Sequence, residues 1–184
     1  TFGEVAGIMQ SEGKILTASY EYWAPKTQPL GEGGDMHFVF SYATQAAEVE
    51  VDTETGEVTV LQIVAAHDVG KAVNPQGVRG QICGGVAMGL GFALMEAFVP
   101  GKTESLKDYH VPCAADMPEV ISLIVEDPEP TGPFGAKSVS EICINGAAPV
   151  FANALYNATG ARVREFPFTP ERVLKAIKAV PEKK

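Results

Sequence analysis

The sequence contains 184 residues, 46% of them hydrophobic, and its 14 basic and 23 acidic side chains give a net charge of −9. A chain of this size buries one sizeable core, as one domain or as two small lobes. It has no run of Lys or Arg that would neutralise a phosphate backbone or an anionic bilayer, so we expect neither nucleic acid nor a membrane as a partner.

The first third of the chain contains one weak helix signal and one clear hairpin signal. Apolar residues recur at helical spacing between Thr1 and Leu16 until Gly13 interrupts them, and residues 1–30 form an N-terminal segment with few structural signals. Residues 19–23 are predicted to be strand-like, with a Pro- and Gly-rich loop following to Asp35. Apolar and polar residues then alternate from Gln45 to Ala66, which predicts a β-hairpin whose turn uses a positive φ at Gly56.

The middle of the chain is dense in glycine. Five glycines occur between Gly80 and Leu94, and each costs roughly 1 kcal/mol relative to alanine inside a helix. We therefore expect a neighbouring backbone or a ligand to approach this glycine face closely.

The last third predicts one strand and two helices. Residues 121–126 alternate as a strand, and Ala147–Thr159 is apolar at helical spacing and closed by Gly160. A final helix starts after Thr169 as N-cap, with Pro170 at its first position. Together the elements predict an α+β fold with a mixed or antiparallel sheet, a buried glycine-rich helix and two C-terminal helices.

Composition also bears on compartment. Gly, Pro or charged residues interrupt the apolar segments before the roughly 20 residues that a bilayer requires, so we expect a soluble chain. No basic stretch followed by an apolar run stands at Thr1, so no secretory signal is visible. Cys83, Cys113 and Cys143 are odd in number and widely spaced, which fits neither a disulfide framework nor a zinc or iron–sulfur ligand set. We expect three small buried hydrophobes in a reducing cytoplasm.

Three places could carry chemistry: His67–Gly70, the glycine segment with Gln81, and the loop from Gly135 to Glu141. A loop with successive free backbone N–H groups can hold an anion, and a carboxylate at its end can act as a base. From residue types alone, a helix-terminal or solvated charge is the favoured role for Glu141. A hydrogen-bonded structural role is favoured for His67 over a base or a ligand. Gln81 could read a polar heterocycle or bond to a loop carbonyl.

An ordered series of motifs resembles the molybdopterin-binding large subunit of the xanthine dehydrogenase/aldehyde oxidase family, over most of the chain from about Gly31. The motifs are residues 48–58, His67–Gly70, Asn74-Pro75, Gly80-Gln81, Asp108-Tyr109 with Pro112, Gly132–Lys137, Glu141 and residues 166–173. Because many motifs agree in order, the resemblance is specific. It implies that residues 1–184 are the C-terminal portion of a molybdenum-cofactor-binding domain, as a fragment or as a split subunit.

The resemblance also implies roles for individual residues. Glu141 would be the catalytic base of a molybdenum hydroxylase that oxidises an N-heterocycle, a purine or an aldehyde with water as oxygen source. Gln81 and the backbone around Ala136, Lys137, Ser138 and Val139 would hold a molybdenum–molybdopterin cofactor in its cytosine dinucleotide form. The rest of the molybdenum-binding segment, the iron–sulfur clusters and FAD would lie on partner chains or domains, and the isolated chain would be inactive.

Two departures from the family pattern concern the loop and the glycine helix. Ser138 and Ser140 stand where many relatives have glycine, and Cys83 stands where relatives often carry an acidic residue. These changes bear on substrate class and loop geometry. Two alternatives remain open: a cofactor-free module of the same fold that assembles subunits, and a relative that acts on carbon monoxide or an aromatic thioester.

Overall fold

The computed structural model describes residues 1–181, and the chain separates after Phe38 into two units. The first unit contains helix α1, Phe2–Ser11, which begins with a capping box between Thr1 and Glu4. Residues 14–29 have no helix or strand, so the strand predicted at residues 19–23 is wrong. The backbone groups of a strand require a neighbour to pair with, and none of the described strands pairs there.

The second unit, from Val39 onwards, is built on a mixed three-stranded sheet. Strands β1 (Ala43–Val51) and β2 (Val58–Asp68) are antiparallel, with a register shift between Glu48 and Val49. Strand β3 (Glu119–Val125) pairs in parallel with β2, which makes β2 the central strand. The predicted α+β class and the predicted hairpin are both confirmed.

The turn between β1 and β2 follows from its residue types. The Asp52 carboxylate accepts hydrogen bonds from the N–H groups of Glu54 and Thr55 at 2.8 and 2.9 Å. Gly56 then adopts a φ of 82°, as the sequence predicts. A Cβ atom on Gly56 would also lie 2.2 Å from the Pro170 carbonyl oxygen, so this position excludes any side chain.

The glycine segment forms helix α2, Pro75–Leu90, which continues into a π-helical turn over Gly91–Met95. Together they make a helix of 21 residues that is long and apolar enough, by those two criteria alone, to cross a membrane. The expectation that every apolar segment is interrupted before this length is therefore wrong here. Its buried residues, which include Val78, Ile82 and Val86, pack into the hydrophobic core, as in a core helix of a soluble protein.

The remaining helices follow the sequence signals closely. A short helix α3 spans Ile142–Asn145 and leads into α4, Ala147–Thr159. Gly160 ends α4 in the left-handed conformation at a φ of 72°, as predicted. Helix α5, Pro170–Lys178, begins after Thr169, whose side chain accepts from the Arg172 N–H.

The core lies between one face of the sheet and helices α2 and α4. Its fully buried members come from β2, α2, the π-helical turn, α3, α4 and α5: Ile63, Ala65, Ile82, Val86, Ala93, Cys143, Ala147, Phe151, Leu155 and Val173. Cys143 is thus the buried hydrophobe that was expected, whereas Cys83 and Cys113 are exposed. Cys83 lies on the solvent face of α2 and Cys113 lies in the connection to β3, so neither reaches the core.

Candidate functional site

The loop that contains most of the predicted site residues is fastened to the end of β2. Gly70 and Ala136 form an isolated antiparallel bridge, and the Lys137 N–H donates to the Val69 carbonyl at 2.9 Å. Gly70 has a φ of 63°, and a Cβ atom there would lie 2.3 Å from the Gly135 carbonyl oxygen. Two of the three sites predicted from the sequence, residues 67–70 and 135–141, therefore meet.

A buried ion pair strengthens this connection. The Lys137 ammonium lies 2.6 Å from Oδ2 of Asp68, with side chains that are only 5% and 8% exposed. Burial by itself would raise the pKa of Asp68, but hydrogen bonds from Lys137 and from the Gly70 N–H outweigh it and hold that pKa below its ordinary value. The same hydrogen bond raises the pKa of Lys137. Both groups are therefore charged at neutral pH.

The backbone donors of the loop divide into two groups. The N–H groups of Ala136 and Lys137 already donate to carbonyls within the loop and at the end of β2. Those of Ser138, Val139 and Ser140 have no acceptor within residues 1–181. Three successive N–H groups are thus left available to a ligand.

Glu141 follows these donors directly and stands at the start of α3. Its backbone carbonyl accepts from the N–H groups of Ile144 and Asn145 at 3.1 and 3.3 Å, but its side chain forms no capping hydrogen bond. The residue is exposed, and its carboxylate has no hydrogen bond or ion pair among the described residues. The carboxylate therefore makes no capping hydrogen bond, and it is open to solvent or to a ligand at the start of α3.

Gln81 lies on helix α2, whose later glycines pack against the helices that follow Glu141. A Cβ atom on Gly85 would lie 2.4 Å from Cys143 Cβ, and one on Gly89 would lie 2.2 Å from Ala147 Cβ. These two glycines admit α3 and α4, as expected for a close neighbouring backbone. Gly80 and Gly84 instead face open space beside the exposed Gln81. The helix was predicted to be buried, but only one of its faces is. The buried face contacts the segment after Glu141, and the face with Gly80 and Gly84 is open.

Two further polar residues lie behind this segment, and the sequence interpretation missed one of them. Gln45 of β1 donates from Nε2 to the Cys143 carbonyl at 3.0 Å, and the same nitrogen lies 3.4 Å from Nε2 of His67. His67 is fully buried, and burial lowers its pKa. This environment agrees with a structural histidine. The signal for Gln45 was its inward position in the alternation of β1, in line with Ala47 and Val49.

Comparison with known proteins shows which family the chain resembles. Residues 1–118 match the model of the molybdopterin cofactor-binding domain. The chain is 38% identical over 149 residues to a probable hypoxanthine oxidase of Escherichia coli, covering 78% of this chain and 16% of that protein. It is 34% identical over 190 residues to one chain of a probable xanthine dehydrogenase of Bacillus subtilis, covering 94% of this chain and 25% of the relative.

The fold recurs in a solved structure. The aldehyde oxidoreductase from Desulfovibrio gigas superposes with a TM-score of 0.78 at 35% identity, over 85% of this chain and 17% of that one. The chain therefore spans only 16% to 25% of the length of the two curated relatives described above.

Proposed function

The chain belongs to the molybdopterin cofactor-binding domain family, and we propose that it supplies one wall of the cofactor site of a molybdenum hydroxylase. The observation that carries the proposal is the row of free N–H groups at Ser138–Ser140 running directly into the free carboxylate of Glu141. A donor row for an anionic cofactor followed by a base is an arrangement that this chemistry can use.

The donor set fits a pterin with a phosphate. The Gln81 amide offers both a donor and an acceptor to the polar edge of the pterin, and the backbone of Ser138 and Val139 offers N–H groups to the pterin or its phosphate. Ala136 and Lys137 contribute by holding the loop, since their own N–H groups are already used. No group of three His, Cys, Asp or Glu side chains among residues 1–181 is arranged to hold a metal ion, so the metal would be held through the pterin.

When bound, the molybdenum cofactor supplies the two-electron oxidation of a substrate carbon, with oxygen taken from water. Glu141 acts as the general base. One of its carboxylate oxygens would accept the proton of the water-derived hydroxyl group whose oxygen is added to an electron-poor carbon. The loop holds the carboxylate in place through the buried pair of Lys137 and Asp68. The substrate is an N-heterocycle, a purine or an aldehyde, and the names of the relatives support this range.

The complete enzyme needs more than this chain. We propose that the remaining cofactor-binding segments, the iron–sulfur clusters and FAD lie on partner chains or domains, which agrees with the small share of each relative that the chain covers. The cofactor is proposed to be the cytosine dinucleotide form, in a cytoplasmic, multi-subunit enzyme. Alone, the chain is expected to be inactive.

The test is Glu141→Gln in the assembled enzyme. Losing a general base lowers turnover by about 10²- to 10⁴-fold, whereas molybdenum content per enzyme is expected to stay unchanged because the backbone donors remain. Glu165→Gln is the matched control, since that side chain is 77% exposed and has only a 3.5 Å contact with Arg172. Full turnover in Glu141→Gln would contradict the proposal.

A further inference from the structure

We infer that Gln45 is a positioning residue that holds the peptide carrying Glu141, and that buried His67 orients the Gln45 amide. The inference rests on the proposed role of Glu141 as the base. It concerns a layer behind the site, where β1 and β2 meet α3.

The segment around Glu141 is a closed turn. The Cys143 thiol donates to the Val139 carbonyl at 2.8 Å, and the Cys143 N–H donates to the Ser140 carbonyl at 3.3 Å. Glu141 thus lies midway between two residues that are bonded to each other. Burial raises the pKa of Cys143 to about 11, so its thiol keeps the proton that this contact requires. Any shift of Cys143 moves Glu141 with it.

Gln45 connects that turn to the sheet. Its Nε2 donates to the Cys143 carbonyl at 3.0 Å across a sequence separation of 98 residues. Gly146 makes room for the amide, because a Cβ atom there would lie 2.8 Å from Gln45 Cδ. On its other side, Cys143 packs against Gly85 of α2. The turn is therefore held between the sheet and the helix that bears Gln81.

Two neighbours bear on the orientation of the Gln45 amide: the Cys143 carbonyl and the His67 ring. A carbonyl oxygen accepts only, so the NH₂ group of Gln45 must face Cys143, and its second hydrogen then faces Nε2 of His67 at 3.4 Å. That nitrogen can accept only when it carries no proton, which places the proton of a neutral ring on Nδ1. His67 is fully buried, an environment that favours the neutral ring.

The arrangement is costly for stability, which points to a role in position. Oε1 of Gln45 is buried and has no hydrogen-bond partner among the described residues. Buried polar atoms without partners destabilise a fold, and apolar side chains of similar shape would avoid that cost. Gln45 nevertheless places a donor where the Glu141 turn needs one.

The decisive variant is Gln45→Met in the assembled enzyme, which keeps the length of the side chain and removes its donor. A small misplacement of a catalytic group costs up to about 100-fold in rate, so we expect kcat to fall by about 10- to 100-fold, with KM and molybdenum content unchanged. Gln62→Met is the matched control: Gln62 lies on β2, and its amide bonds to Glu119 at the surface, so its kcat is expected to stay at the wild-type value.

A double variant separates positioning from other effects. If Gln45 acts through Glu141, adding Gln45→Met to Glu141→Gln leaves the residual single-turnover rate of cofactor reduction unchanged; a further fall would overturn the inference. His67→Phe, which removes both ring nitrogens beside Gln45 and keeps a planar ring, is expected to lower kcat by a smaller factor at unchanged KM.

The outcomes are distinguishable. Full turnover in Glu141→Gln rejects the proposed function itself. If Glu141→Gln is inactive while Gln45→Met keeps the wild-type kcat, only the inference on Gln45 fails. Loss of molybdenum or failure to assemble in Gln45→Met would assign Gln45 a purely structural role and would equally overturn it.

Discussion

The Lys137 side chain buries its ammonium against Asp68, and both charges lie almost out of reach of water. A buried pair is held together by strong attraction because little solvent screens it, and removing one partner leaves the other charge buried alone. The contact joins the end of β2 to the loop that leads to Glu141. The pair thus adds to the Gly70–Ala136 bridge in fixing where the loop begins.

Lys137→Met is therefore expected to reduce the free energy of unfolding, because it leaves the Asp68 carboxylate without its cation. The matched control is Lys71→Met, because Lys71 pairs with Glu126 through side chains that are 53% and 39% exposed. An exposed pair contributes about 0–1 kcal/mol. Urea unfolding of both variants measures the difference, and equal losses would show that the Lys137 pair behaves as a surface pair.

Burial of His67 predicts a pH dependence of stability. Because its pKa in the folded state is lower than the ordinary value of 6.5, the unfolded chain binds a proton first as pH falls. The free energy of unfolding contributed by His67 is fully present above 6.5 and declines as pH falls from there to the folded-state pKa. The free energy of unfolding is measured between pH 7.5 and 5 for the wild type and for His67→Phe. Identical slopes of this free energy against pH in the two proteins would contradict the prediction.

At the level of elements, helix α2 has two glycine faces with different purposes. Gly85 and Gly89 let α3 and α4 approach, whereas a Cβ atom on Gly80 or Gly84 would meet nothing within 4 Å. A glycine that no neighbour requires only weakens a helix. The open face therefore needs another explanation, and the proposed cofactor site beside Gln81 provides one.

These two faces respond oppositely to the same substitution. Gly85→Ala is expected to destabilise the chain by about 1–3 kcal/mol, since its Cβ atom would lie 2.4 Å from Cys143 Cβ. Gly84→Ala, one residue away, is expected to stabilise it by up to about 1 kcal/mol through helix propensity. Thermal unfolding of both variants provides the comparison. A loss of stability in Gly84→Ala would show that its face is occupied within the chain.

At the scale of the whole molecule, the chain is proposed to be one part of a larger site. Its N-terminal unit exposes large apolar side chains, with Phe2, Tyr20 and Trp23 at least 80% exposed. In the second unit, the N–H groups of Ser138–Ser140 have no acceptor among the described residues. These features agree with a chain that functions beside other segments of the proposed enzyme.

Purification with its natural partners tests this view directly. We expect close to one molybdenum and one released cytidine nucleotide per chain, because the free donors at Ser138–Ser140 match an anionic cofactor. Metal analysis and nucleotide chromatography give the two numbers, with the isolated chain as control. An intact complex that contains neither would favour the cofactor-free assembly module. A complex that contains molybdenum but no cytidine nucleotide would agree with the proposed cofactor site and would reject only the dinucleotide form of the cofactor.

Local signals were enough for much of the fold. The alternation of β1 and β2, the positive φ at Gly56, the end of α4 at Gly160 and the cap at Thr169 each depend on a few adjacent residues. The ordered motifs likewise indicated the family from residues near in sequence. Residue types that favour a strand gave a wrong prediction at residues 19–23. A strand there would need a neighbouring strand to pair with, and strand propensity alone does not provide one.

Some features of the candidate site followed from the sequence, and others required the tertiary structure. Glu141 and Gln81 could be proposed from motifs alone, because each stands within a recognisable run of residues. The pairing of Lys137 with Asp68 spans 69 positions and the bond from Gln45 to Cys143 spans 98. No periodicity or cap signal extends over such distances. Only the packing of β1, α2 and α3 decided which polar groups are buried together, since burial depends on which distant segments share the core.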